Sequence, residues 1–227
     1  MTSQFKYNID IVLCIDATGD MNPVIDMVKA NALKFHDDLS RVMAEKSKII
    51  DSLRIKVIMF RDYYCDREPM KESQFFTLPA AKEDFQNFIN GIYAKEGGDE
   101  PDNGLEALAL AIKSDWATTG DRHRHIIIIL TDASAHKLER YSDSKPENYP
   151  IGLPKNFDEL TEWWNGQNFI GSSSKGLIMY APDAYPWTDI ANYWKLAIHC
   201  PSKAGEGLSE ADYYSFMLDH ITCIIDI

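Results

Sequence analysis

Three short apolar runs in this chain end on an aspartate, and that repetition limits what the chain can fold into. "IDIVLCID" (9–16) is continuous and rich in β-branched residues, "LRIKVIMF" (53–60) runs into Arg61 and Asp62, and "HIIIILTDA" (125–133) carries Asp132. Runs of this length without polar alternation are strands covered on both faces, the pattern of a parallel sheet between helices. A carboxylate at such a strand end is costly unless something there uses it.

Helical periodicity fills the gaps between these strands. Asn22 followed by Pro23 predicts an N-cap and first helical residue, and Val24, Met27, Val28, Ala32 and Phe35 extend one helix into the mid-40s. "SQFFTLP" (73–79) reads as a short edge strand, and "AKEDFQNFINGIY" (81–93) as a helix with Phe85, Phe88, Ile89 and Ile92 on one face. "GGDEPDNGLEALALAIKSDW" (97–116) is a Gly-rich turn feeding a helix that buries Leu105, Leu108, Ala109 and Ile112. After a long polar stretch come a short helix around "DELTEWW", strands at 175–182 and 194–201, and a final helix with apolar positions 213, 217, 220 or 221, 224 and 225.

Strands alternating with helices predict an α/β fold. Its expected form is three-layered, Rossmann-like and doubly wound, with a mostly parallel central sheet, one short antiparallel edge strand and helices on both faces. One domain over 1–227 is expected, elaborated by an insertion at roughly 134–175. Ligands of such sheets gather beyond the strand carboxyl ends, where strand order reverses.

The bulk properties narrow the partners. A net charge of −12 disfavours a nucleic-acid backbone and suits a cation or a basic face on another protein. No apolar stretch reaches the roughly 20 residues of a membrane helix, and "MTSQFKYN" lacks the apolar run of a secretory signal. No membrane contact and a cytoplasmic location are therefore expected. The four cysteines lack CxxC spacing, which argues against a zinc site or a disulfide framework. Cys14 and Cys223 read as small buried hydrophobes.

In "DATGD" (16–20), alternation points the side chains of Asp16, Thr18 and Asp20 the same way, and Gly19 lets the chain curl. Adding Asp132 and an acid from "GGDEPD" gives an all-oxygen pocket whose carboxylates repel one another unless a cation sits among them. Hard oxygen donors select Mg²⁺ first, with Mn²⁺ or Ca²⁺ as alternatives, over zinc. Asp20 has a second reading, as an acid favouring the positive end of the following helix. Asp102 reads first as an N-cap ahead of "NGLEALAL", Asp62 as a residue that fixes its loop by hydrogen bonds, and His136 as structural. The aromatics of "LTEWW" and "APDAYPW" read as core or loop packing rather than a partner groove.

These motifs, in this order, resemble the von Willebrand factor A-type domains, in a stand-alone, bacterial-like form. Their metal-ion-dependent adhesion site has a D-x-S/T-x-S motif after the first strand, a Thr or Asp from a Gly-rich loop, and an Asp ending a later strand. "DATGD" supplies Asp16, Thr18 and Asp20. "GGDEPD" is similar to the loop of one subgroup, with Asp99 matching better than Asp102, and "LTDA" supplies Asp132. "MFRDYYCD" resembles the F-R-D-Y strand end of that subgroup. The family has a hydroxyl where this chain has Asp20, so more negative charge would surround the ion. That implies tighter cation binding and weaker attraction for a partner's carboxylate.

The resemblance implies a non-enzymatic, cation-binding protein-interaction module, an intracellular adaptor or assembly factor. Two alternatives remain at this point. A Mg²⁺-dependent phosphohydrolase of the haloacid dehalogenase type would need an acid where Thr18 stands. A metal-free scaffold would satisfy its acids with backbone amides and water.

Overall fold

The computed structural model describes residues 5–95, 100–141, 145–166, 168–171, 173–202 and 213–226, apart from the side chain of Asp20. Strands β1 (Phe5–Asp16), β2 (Lys48–Phe60), β3 (Met70–Glu72), β4 (Phe76–Leu78), β5 (His123–Leu130), β6 (Lys175–Pro182) and β7 (Ala197–Ser202) build a sheet of order β3-β2-β1-β5-β6-β7. Helices α1 (Asn22–Asn31), α2 (Phe35–Glu45), α3 (Lys82–Asn90), α4 (Gly104–Ile112), α5 (Phe157–Asn165), α6 (Trp187–Tyr193) and α7 (Tyr213–Ile225) cover its two faces. The β1–β2, β1–β5, β5–β6 and β6–β7 pairs are parallel. Both β3 and β4 run antiparallel to β2, so the expected edge strand exists as two short segments on one border.

Alternation along the buried strands explains the layers. Ile9, Ile11, Leu13 and Ile15 join the core under α1, α2, α3 and α7, while Val12 and Cys14 join the core under α4, α5 and α6. Ile126, Ile128 and Ile178 fall on the first side, Ile127, Ile129, Leu177 and Met179 on the second. A strand buried on both faces has no place for a polar residue in mid-run, which is why these stretches are uninterrupted. Each fully buried isoleucine contributes roughly 1.5–3 kcal/mol of transfer free energy.

Several expectations need correction. The long helix from residue 22 is two helices, broken at 32–34, although Val24, Val28, Phe35, Leu39 and Met43 keep one buried face across the break. At the break the Asn31 side-chain amide donates to the Met27 carbonyl at 2.7 Å, a local alternative to continued helix. Asn22 lies inside α1 rather than capping it; Met21 holds the cap position without a side-chain bond. The third strand ends at Leu130, not at 133, and the last begins at Ala197 rather than 194. Helix α6 had no sequence signal: "WTDIANY" is short, and its Trp187 and Ile190 are fully buried.

Cys14 is buried as expected, but Cys223 is exposed. Helix α7 turns Met217, Leu218, Ile221, Ile224 and Ile225 inward, and residue 223 falls outside that stripe. Ile224 lies so close to β6 that a Cβ on Gly176 would meet it at 2.3 Å, so glycine there sets how deeply α7 seats. Among the described residues, no helix is long and apolar enough to cross a membrane.

Candidate metal centre at the strand switch point

Strand order reverses between β1 and β5, so the crevice beyond their carboxyl ends is where an α/β sheet gathers a ligand. Asp16 is the last residue of β1 and has no solvent exposure. Its Oδ1 accepts from the Thr18 amide at 3.0 Å and the Thr18 hydroxyl at 2.5 Å. Its Oδ2 accepts from the Thr131 hydroxyl at 2.6 Å, reached from the end of β5.

Gly19 stands at φ +41°, a left-handed backbone that suits glycine, and turns the chain back over the site. Its amide donates to the Lys95 carbonyl at 2.9 Å, and the Lys95 amide donates to the Ala17 carbonyl at 3.1 Å. Arg61 is buried and donates to three backbone carbonyls, those of Ala17, Glu68 and Tyr93. A guanidinium, with five donors in a fixed fork, suits this clamp between loops. Arg61 is thus a brace for the site rather than a counter-ion of Asp16.

Asp102 is the site residue whose role sequence reasoning misassigned. Helix α4 begins at Gly104 with Asn103 in the cap position, and Asp102 does not cap it. Instead its Oδ2 lies 2.9 Å from the Thr18 hydroxyl. The Asp102 amide donates to the Ser134 carbonyl, and its carbonyl accepts from the His136 amide, so the segment after β5 holds it in place. Asn103 is the neighbouring brace: its amide donates to the Arg61 carbonyl and its Oδ1 accepts from the Tyr63 amide.

The Thr18 hydroxyl has one proton and two carboxylate neighbours, so the three groups share a hydrogen-bond chain. Burial pushes the Asp16 carboxyl well above the usual carboxylate range, and the negative charge of Asp102 pushes it further, against the two threonine hydroxyls and the Thr18 amide. Burial likewise raises Asp102, to about 7; the Thr18 hydroxyl opposes this, and the charges of Asp62, Asp132 and Asp66 add to it. Among the described residues, neither Asp16 nor Asp102 has an ion-pair partner.

Asp132 is buried two residues beyond β5, within electrostatic reach of Asp102. Asp99 and the Asp20 side chain lie outside the described residues. Among those described, no three His, Cys, Asp or Glu side chains form a group that could hold a metal ion. The oxygens that converge are two carboxylates, Asp16 and Asp102, with the hydroxyls of Thr18 and Thr131. Thr131 escaped the sequence reading, although a hydroxyl directly before the strand-end aspartate in "LTDA" is the signal for it.

Asp62 holds its own loop: Oδ1 accepts from the Tyr64 amide at 2.8 Å, and Oδ2 lies 3.3 Å from His136 Nε2. His136 is buried between Asp62 and the Arg140 guanidinium, and burial lowers its pKa against the pull of Asp62. One further acid went unread. Glu106 is fully buried in α4 and accepts from the Tyr149 hydroxyl at 3.0 Å, while its Oε2 has no partner among the described residues. Burial raises it to about 7. Its signal was a single acid inside the apolar run "LEALALAI".

A doubly wound sheet with an acidic, hydroxyl-rich crevice at its switch point defines the class of the molecule, and comparisons sharpen it. The fold matches that of a von Willebrand factor type A protein from Catenulispora acidiphila, with TM-score 0.53 and 13% identity over 95% of this chain and 43% of that one. It also matches the pilus adhesin SpaC from Lactobacillus rhamnosus GG, with TM-score 0.56 and 11% identity over 96% of this chain and 30% of that one. The chain therefore has the fold of a von Willebrand factor A-type domain.

In sequence, it is 26% identical over 156 residues to the alpha-protein kinase vwkA of Dictyostelium discoideum, covering 68% of this chain and 23% of that protein. It is 29% identical over 173 residues to a putative ariadne-like RING finger protein, R811, of Acanthamoeba polyphaga mimivirus, covering 71% of this chain and 15% of that protein. The chain thus spans less than a quarter of either relative. No protein-family model matches it.

Proposed function

We propose that this chain is a divalent-cation-binding A-type interaction module that works as an intracellular adaptor or assembly factor and not as an enzyme. The observation that carries the reading is Asp16: a fully buried carboxylate at the switch point, held by hydroxyls, faced by a second carboxylate and, among the described residues, given no basic partner. An isolated buried anion is expensive, and two adjacent ones more so. A divalent cation among them removes that cost.

The donor set fits such an ion. Every convergent donor is a hard oxygen, as Mg²⁺ requires, with Mn²⁺ and Ca²⁺ as alternatives. Asp16, Thr18, Asp20 and Asp132 would hold it, with Asp99 or Asp102 completing the set from the Gly-rich loop. The ion would supply positive charge and a coordination position for a partner's oxygen. Because so many ligands are acids, a neutral or basic partner surface suits the site better than a carboxylate. Tyr64 and Tyr93, exposed on the braced loops with Arg140 and Lys29 over their rings, offer such a partner aromatic anchors.

The adhesin among the structural neighbours supports the interaction role, and Thr18 argues against phosphohydrolase chemistry, which needs a general acid there. Calorimetric titration of the whole chain with Mg²⁺, Mn²⁺ and Ca²⁺ tests the reading. Saturable binding that Asp16→Asn abolishes, with no hydrolysis of an aryl phosphate by either protein, is expected. Turnover lost in Asp16→Asn would make the chain an enzyme, and no binding of any of the three ions would make it a metal-free scaffold. Pull-downs with and without chelator then test whether the ion gates the partner.

A further inference from the structure

We propose that a cavity at the opposite, amino-terminal end of the sheet binds a small phosphate-bearing anion through Lys175 and Lys195. The cavity is an open pocket of about 550 Å³ lined by Asn165, Lys175, Tyr193, Lys195 and Leu196. That volume is within the range of small-molecule sites, roughly 300–1,000 Å³. Among the described residues its wall holds two cations, an amide and a phenol and no acid, in a chain of net charge −12.

Lys175 begins β6 and is buried, a rare placement for a lysine without a counter-charge. Its ammonium donates to the Trp164 carbonyl and lies 4.7 Å from the centre of the Trp164 ring. Among the described residues no carboxylate pairs with it. Its neighbour across the β5–β6 ladder is His125, again not an acid. Burial lowers its pKa. A desolvated cation of this kind is unfavourable alone and favourable with an anion.

The same tryptophan holds the main chain of the second lysine. The Trp164 indole N–H donates to the Lys195 carbonyl at 3.1 Å, and Trp164 is fully buried and stacked on Trp194 with ring centroids 5.2 Å apart. Lys175 and Lys195 therefore both adjoin one buried indole, the first through its ammonium and the second through its backbone carbonyl. Leu196, also in the wall, is held at φ +63°, an uncommon backbone for a β-adjacent leucine.

Two ammonium groups match a dianion, and lysine serves phosphate as a point charge. The acidic surface repels a long polyanion, so a small molecule fits rather than a nucleic acid. The length of β6 puts this cavity roughly 25 Å from the strand carboxyl ends, so it is independent of the cation site.

The test is calorimetry on the whole chain with inorganic phosphate and phenyl phosphate, without divalent metal, at ionic strength balanced with sodium chloride. Saturable binding is expected, weakened about tenfold in Lys195→Gln, lost in Lys175→Met and unchanged in Asp16→Asn. Because Lys195 is on the surface, its variant reports even if Lys175→Met fails to fold. Binding equal to the parent in Lys195→Gln, acetate binding as tight as phosphate, dependence on Asp16, or no saturation at balanced ionic strength would each overturn the proposal.

Discussion

Asp10 and Asp16 lie six residues apart on one strand, both buried, and the protein treats them in opposite ways. The Asp10 oxygens accept from Arg54 Nε at 2.8 Å and Arg54 Nη2 at 2.5 Å, and Oδ2 also accepts from the Ala117 amide at 2.7 Å. The Arg54 guanidinium in turn lies over Phe75, 4.4 Å from the ring centre. That is a fully satisfied, bidentate ion pair, the arrangement in which a buried charge is tolerated. Asp16 has hydroxyls, one amide and the charge of another acid. The first carboxylate is part of the scaffold; the second has, among the described residues, no basic partner. A buried acid therefore says little about function until its counter-charge has been traced.

The strongest way to break this contrast is to remove the paired acid. Asp10→Ala leaves Arg54 with no carboxylate and the Ala117 amide with no acceptor, and should cost about 3–5 kcal/mol of unfolding free energy in urea. A loss near zero would place Asp10 with the tolerant acids.

Glu106 gives the next effect. It is held as a neutral acid, its folded pKa raised from 4.5 to about 7 by burial. A raised folded pKa means that its stabilising contribution is complete below the unfolded value and is lost as pH climbs through the folded one. Stability should therefore fall between pH 4.5 and about 7, and Glu106→Gln should flatten that slope and gain about 3 kcal/mol at pH 8. Urea unfolding across that range checks it, and an unchanged slope in the variant would show that Glu106 is charged in the fold.

Asp16→Asn should cost the metal-free protein no stability. It removes an uncompensated charge while keeping oxygen and shape, so stability at pH 8 should match the parent or rise. A loss as large as that of Asp10→Ala would put both acids in the scaffold.

The sheet was legible because its strands are buried on both faces: a continuous apolar run such as "IIIIL" has one plausible home. Helix ends and interruptions were less so. The break at 32–34 leaves the apolar stripe intact, and α6 is only seven residues long, so periodicity registers neither. Within the site, Asp16 and Thr18 were legible because they are two residues apart after a strand. Thr131 and Asp102 reach Asp16 from 115 and 86 residues away, and no local pattern states such a meeting.

By itself the sequence determined which side chains must leave water and which strand ends carry oxygen, because those follow from period and composition alone. Only the tertiary structure decided which acids are neutralised. Pairing depends on what neighbouring strands and loops place within about 3 Å, the reach of a hydrogen bond. The same packing turned Asp102 from a helix cap into a wall of the Asp16 crevice and brought the Lys175 ammonium and the Lys195 main chain to Trp164 at the far end of the sheet.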